Sequence, residues 1–135
     1  MWQEPKLNWQ PTDYINSEDF NRIRGNIEYL KDKMKKYHEL KESGTPLPDE
    51  VSKRSYGYCE YWNGLEKNLQ DIVDSAPFYQ VGNEKKYYPL QHYIDYQELN
   101  RLEKACEIYY NMLIGQDNSI RELSYTLGND GGIRI

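Results

Sequence analysis

Histidine and cysteine number two each in 135 residues. His38 and His92 are too few to build a histidine metal site, and His38-Glu39 lacks the second His of an H-E-x-x-H helix. Cys59 and Cys106 stand alone, without metal-ligand spacing, which predicts buried free thiols. A reducing cytosol is the default site of synthesis, so no disulfide is expected. No apolar run approaches the roughly 18 residues of a membrane span. The stretch Met1 to Lys6 has no apolar h-region and does not read as a signal peptide. No G-x-S-x-G, P-loop or dinucleotide fingerprint occurs. The net charge of -5 disfavours a phosphate backbone as partner. The carboxylates fall on polar helix faces, where solvation is the expected state. These absences predict a chain with no catalytic residues, metal or cofactor, and no nucleic-acid or membrane partner. It is expected to be non-enzymatic.

Aliphatic content is low too: the hydrophobic fraction is 38% and mean hydropathy is -1.00. Fourteen Tyr and three Trp accompany only two Phe. Tyr and Trp carry an apolar body and a polar tip, which suits half-wet surfaces and protein contacts. Thin apolar seams are therefore expected in place of one thick core.

One short pattern occurs three times: Phe20-Asn21-Arg22-Ile23, Trp62-Asn63-Gly64-Leu65 and Leu99-Asn100-Arg101-Leu102. Each is followed by three polar or small residues and another apolar one. The first and third copies are also preceded by Tyr14-Ile15-Asn16 and Tyr93-Ile94-Asp95. A repeat this regular predicts an all-α, single-domain, three-helix bundle built from one degenerate helix. Residues 1–15, with Trp2, Pro5, Trp9 and Pro11, predict an extended aromatic arm; residues 16–127 hold helices and loops; residues 128–135 predict a short extended tail.

The first helix is expected over 17–42, capped by Asn16 with Asp19. Its seam is Phe20, Ile23, Ile27, Leu30, Met34 and Tyr37. The basic run Lys31, Lys33, Lys35, Lys36 reads as its solvated face. Ser43 to Asp49 is a stop and a turn. The second helix starts either at an Asp49 cap or after a break at Ser55-Tyr56-Gly57-Tyr58. Its seam is Tyr58, Trp62, Leu65, Leu69, Ile72 and Ala76, and Pro77 ends it. Phe78 to Leu90 predicts a long ordered loop, with a hairpin at Gly82-Asn83 as the lesser reading. The third helix is capped by Asp95 in a D-x-x-E box and has the seam Leu99, Leu102, Cys106, Tyr109, Leu113. Gly115 to Asn118 predicts a break or bend, with Ile120, Leu123 and Leu127 able to resume the register in a kinked continuation.

Asn is a weak helix former in an interior. Its recurrence as Asn21, Asn63 and Asn100 predicts that each side chain bonds the backbone of an adjacent arm or loop. The unused apolar groups lie at the ends. The arm's Trp rings either fold back on the chain's own helices or dock on a neighbouring subunit; on the second reading Trp2, Leu7 and Trp9, with Ile133 and Ile135 in the tail, are the candidate interaction residues.

Trp2 to Leu30, with Pro5-Lys6, Trp9, Asp13, Asn16 and Asp19-Phe20-Asn21-Arg22-Ile23, resembles a known group. It is the N-terminal region of small structural proteins encoded in tail or baseplate gene regions of phages and prophages of Gram-positive bacteria. Their pattern is D-[FL]-N-R-[IL]-x-x-N-[IL]. Asp19 to Ile27 fits it fully, Glu98 to Cys106 has Ala105 in place of Asn, and Tyr61 to Leu69 has Gly64 in place of Arg. The resemblance implies a virion or tail-associated role. Its partners would be other virion or tail proteins, or a second copy of the chain. The protein would be made in the bacterial cytoplasm and assembled into a particle. The alternative is a small ligand- or carbohydrate-binding module with Tyr and Trp platforms, which Tyr56, Tyr58, Tyr61, Tyr79, Tyr87 and Tyr88 would line.

Overall fold

The computed structural model describes residues 2–40, 42, 44–51, 59–76, 86–87 and 94–130; of residues 117 and 119–130 only the backbone is described. Three helices occur among them, with no strand: α1 (Ser17–Tyr37), α2 (Cys59–Ser75) and α3 (Tyr96–Asp130). The all-α three-helix reading holds.

α1 begins as its sequence demands. Asn16 Oδ1 accepts the Asp19 amide and the Asp19 carboxylate accepts the Asn16 amide, each at 3.0 Å. These bonds occupy backbone donors that have no partner inside the helix. Glu18 and Asp19 in the first turn, and Lys35 and Lys36 in the last, suit the helix dipole. The helix stops at Tyr37, short of the expected 42. The cap residue His38 is extended, and its amide donates to the Met34 carbonyl.

The Asp49-capped alternative for α2 does not occur, because residues 45–51 are extended and α2 starts at Cys59. α3 runs through Gly115 to Asn118 without a break. A Gly in a helix interior costs only about 1 kcal/mol against Ala, too little to stop a long packed helix. Gly128 to Asp130, expected in the tail, belong to α3. Ile133, Ile135 and the Gly82-Asn83 stretch lie outside the described residues.

The helices run parallel. Near their starts, Phe20 meets Trp62 edge-on at 5.0 Å, and Arg22 and Arg101 pair with Glu103 and Glu66. Farther along, Lys31 reaches Asp71 at 3.8 Å, Tyr109 Oη donates to the Ala76 carbonyl, and His38 meets Gln116 at 3.3 Å. Three parallel helices need two long return connections. Before α1 and α2, residues 3–9 and 46–51 lie back along the bundle as arms; before α3 the described residues are 86–87 and 94–95.

The seams are buried at Phe20, Ile23, Ile27, Leu30 and Met34; Trp62, Leu65, Leu69, Ile72 and Ala76; Leu99, Leu102, Cys106, Tyr109 and Leu113, while Tyr37 is only half-buried and Tyr58 lies outside the described residues. They join in one continuous cluster rather than separate thin seams, and each arm adds one residue to it: Trp9, Val51 and Tyr87. Both thiols are free; Cys106 is buried as expected, whereas Cys59 is only half-buried. Burial, helped by the Glu103 carboxylate, pushes the Cys106 thiol well above its ordinary range.

Candidate functional site

The repeated Asn residues form three matching stations. Asn100 of α3 accepts the Trp9 amide at 2.8 Å and donates to the Trp9 carbonyl at 3.1 Å. Asn21 of α1 does the same to Val51, at 2.8 and 3.0 Å. Asn63 of α2 does the same to Tyr87, at 2.7 and 3.0 Å. Each carboxamide satisfies both backbone groups of one extended residue, as the sequence repeat anticipates. The arm before α1 is held by α3, the arm before α2 by α1, and the arm before α3 by α2. The order is cyclic, and the N-terminal arm closes the ring on the last helix.

A second Asn, five residues after the first, repeats the device on α1. Asn26 exchanges two bonds with Gln3, at 2.8 and 2.9 Å. On α2, Asn68 donates to the Pro46 and Gly64 carbonyls and accepts from Lys31 Nζ. In α3 this position is the buried Ala105. Arms one and two thus each lie between two helices and run opposite to them: Gln3 and Pro46 sit one level up, Trp9 and Val51 one level down.

Beneath two of the stations lies a buried ion pair. Arg22, next to Asn21, bonds both Glu103 oxygens at 2.8 and 3.0 Å and Asp19 at 3.0 Å. Glu103 is 1% exposed and also accepts the Trp9 indole N–H and the Lys6 amide. Arg101, next to Asn100, bonds Glu98 and the buried Glu66, which accepts the Tyr87 hydroxyl at 2.6 Å. Burial alone would lower the proton affinity of both guanidiniums, but the carboxylates outweigh it and hold both above the ordinary value. Burial and the Glu66 bond push the Tyr87 phenol up.

These carboxylates correct the expectation that acidic groups lie on solvated faces. Glu66, Glu103 and Asp71 are buried. The signal was in the repeat: copies two and three carry Glu three residues after the Asn. Lys31 likewise departs from the solvated face, since its side chain is 13% exposed and spans to Asn68 and Asp71.

The candidate interaction residues fare differently. Trp9 is 2% exposed within its own chain, so it is not a free docking group. Trp2 stacks on Tyr110 at 4.0 Å and leans on Tyr29. Leu7 is exposed, and so is Tyr14, at 93%. The repeat residues Phe20, Trp62 and Leu99 are core. Of the Tyr residues expected to line a pocket, Tyr61 borders a groove of about 820 Å³ with Pro46, Pro48, Gly64, Lys67 and Lys86. Tyr87 is buried with its hydroxyl on Glu66, and the others lie outside the described residues.

Among the described residues no group of His, Cys, Asp and Glu could hold a metal ion, and no helix is long and apolar enough to cross a membrane. No protein-family profile, curated protein or solved structure matches the chain.

Proposed function

We propose that this is a non-enzymatic structural or adaptor protein of a phage or prophage particle, acting through protein–protein contacts with other virion or tail proteins. The resemblance of Trp2 to Leu30 to tail-region proteins motivates the particle. The observation that supports a building-block role is the use made of the repeated polar residues. Asn21, Asn26, Asn63, Asn100, Arg22 and Arg101 hold the chain's own arms and helices together. Among the described residues no buried side-chain polar atom lacks a partner. Side chains satisfied in this way rigidify a unit and specify one packing. The test is proteomics of particles purified from an induced lysogen carrying the gene. Fixed stoichiometry to the tail proteins is expected; absence from particles whose tails are complete refutes the role.

The groove beside Tyr61, with Pro46 and Pro48 as a wall, favours a second reading as a ligand- or carbohydrate-binding module. Titration of the protein with oligosaccharides, read by calorimetry, distinguishes it: saturable heat that Tyr61→Ala abolishes would favour the module over the particle role.

A further inference from the structure

The three stations are not equal, and apart from the clamping Asn the odd one differs at every polar position together. At the stations of Trp9 and Tyr87, the arm side chain donates to a buried carboxylate, Glu103 or Glu66. That carboxylate pairs with the Arg after the clamping Asn of the next helix, Arg22 or Arg101, and this Arg bonds an acid three residues before it, Asp19 or Glu98. At the Val51 station the same positions hold Arg24 in place of Glu, Gly64 in place of Arg and Tyr61 in place of the acid. The arm residue is Val, which has no polar tip.

The backbone of the arm changes in step. Three residues before Trp9, the Lys6 amide donates to Glu103 at 3.1 Å. Three residues before Val51 stands Pro48, which has no N–H to donate. Here the helix supplies the donor instead: Arg24 Nε donates to the Pro48 carbonyl at 2.8 Å. The Pro48 ring fills the space that a side chain at position 64 would need, since a Cβ there would lie 2.6 Å from Pro48 Cγ.

We infer that the stations form a donor–acceptor code that assigns each arm to its own groove. Two grooves present a carboxylate to an arm that donates, and the α1–α2 groove presents a guanidinium to an arm that accepts. An arm in the wrong groove sets donor against donor at Arg24, or the Pro carbonyl against carboxylate at Glu103. The mismatch leaves the buried Glu103 short of a donor, and leaves Nε of the half-buried Arg24, whose other end pairs with Glu28, without its acceptor. The code fixes the cyclic order in which the chain closes, and it stands whether or not the particle role does.

The test converts the odd station into a copy of the others. Arg24→Glu alone sets a carboxylate against the Pro48 carbonyl and raises the unfolding equilibrium constant. Pro48→Lys alone adds an amide N–H that meets no carboxylate at position 24, and does the same. The pair is expected to couple, with the double variant about tenfold more stable than the summed single effects allow. Gly64→Arg, which the Pro48 ring forbids in the parent, is expected to stabilise the double variant by supplying the missing guanidinium. Arg24→Glu with Pro46→Ala is the control and is expected to show no coupling. Where Arg24→Glu does not fold, Arg24→Gln replaces it in the same cycle, with a smaller coupling of the same sign. Strict additivity in the urea midpoints, or Gly64→Arg equally harmful with and without Pro48, overturns the code.

Discussion

Replacing Asn100 by Ala tests the ring where it closes. The substitution removes two bonds to a single residue, the Trp9 amide at 2.8 Å and carbonyl at 3.1 Å. Trp9 is 2% exposed, so its backbone lies beside the core. An unmade bond to a buried group costs about 1–3 kcal/mol. Asn100 is itself half-buried, so water reaches one of the two orphaned groups and the lower end applies to it. The helix gains about 0.5 kcal/mol from Ala in place of Asn. The expected net loss is about 2 kcal/mol, which in a domain of this size lowers Tm by roughly 6–10 °C. Urea unfolding followed by tryptophan fluorescence and by far-ultraviolet dichroism measures it. Asn8→Ala, on the exposed face of the same arm, is the control and should fall within about 0.5 kcal/mol of the parent. An Asn100→Ala midpoint equal to that of the control would refute the argument that the clamp bears weight.

Four further outcomes follow from the same geometry. Trp9→Phe keeps most of the apolar burial but leaves a Glu103 oxygen without its indole donor, and should cost about 1–3 kcal/mol in the same urea assay. Deleting residues 1–12 strips Trp2 and Trp9 from the core and should abolish cooperative unfolding in calorimetry, rather than leave a folded bundle that has lost only its partners. Burial holds the Cys106 thiol and the Tyr87 phenol neutral in the fold, whereas in the unfolded chain they ionise near 9.0 and 10.0. Their contribution is thus complete below those values and lost as pH rises through them, by up to about 1.4 kcal/mol per proton per pH unit; Tyr87→Phe should remove one proton from the slope of a urea-midpoint series between pH 8 and 11. In the native state a thiol reagent should modify the half-buried Cys59 and spare Cys106, as intact mass reads directly.

The helices were legible because their seams are periodic. Phe20 to Met34 and Leu99 to Leu113 are buried residue for residue, and the Asn16 box forms as written. The clamp was legible because Asn is costly mid-helix, and three recurrences at one offset call for a compensating bond. The parallel arrangement was not legible, since an a/d seam has the same spacing whichever way the neighbour runs. For the arm two fates stayed open, packing on its own helices and docking on a neighbour. Trp9 looks like a surplus apolar group in sequence, and only the remote Asn100 and Glu103, more than ninety positions away, show that it is core. Glu66 and Glu103 were misread because a carboxylate flanked by Lys67 or Lys104 resembles a solvated face; what buries them is an arm brought in from another part of the chain. α1 was drawn too long because an acceptable helical composition continues past Tyr37, although the backbone turns extended at His38.

Amide hydrogen exchange at Trp9, Val51 and Tyr87 tests the cyclic clamp most directly. All three lie outside helices, and each amide donates to an Asn side chain. The account predicts that these three amides exchange slowly, near the rates of buried helical amides in α1 and α3, and that Asn21→Ala releases Val51 before the other two. Exchange of all three at the rates of unstructured peptide, with the helices still protected, would contradict it.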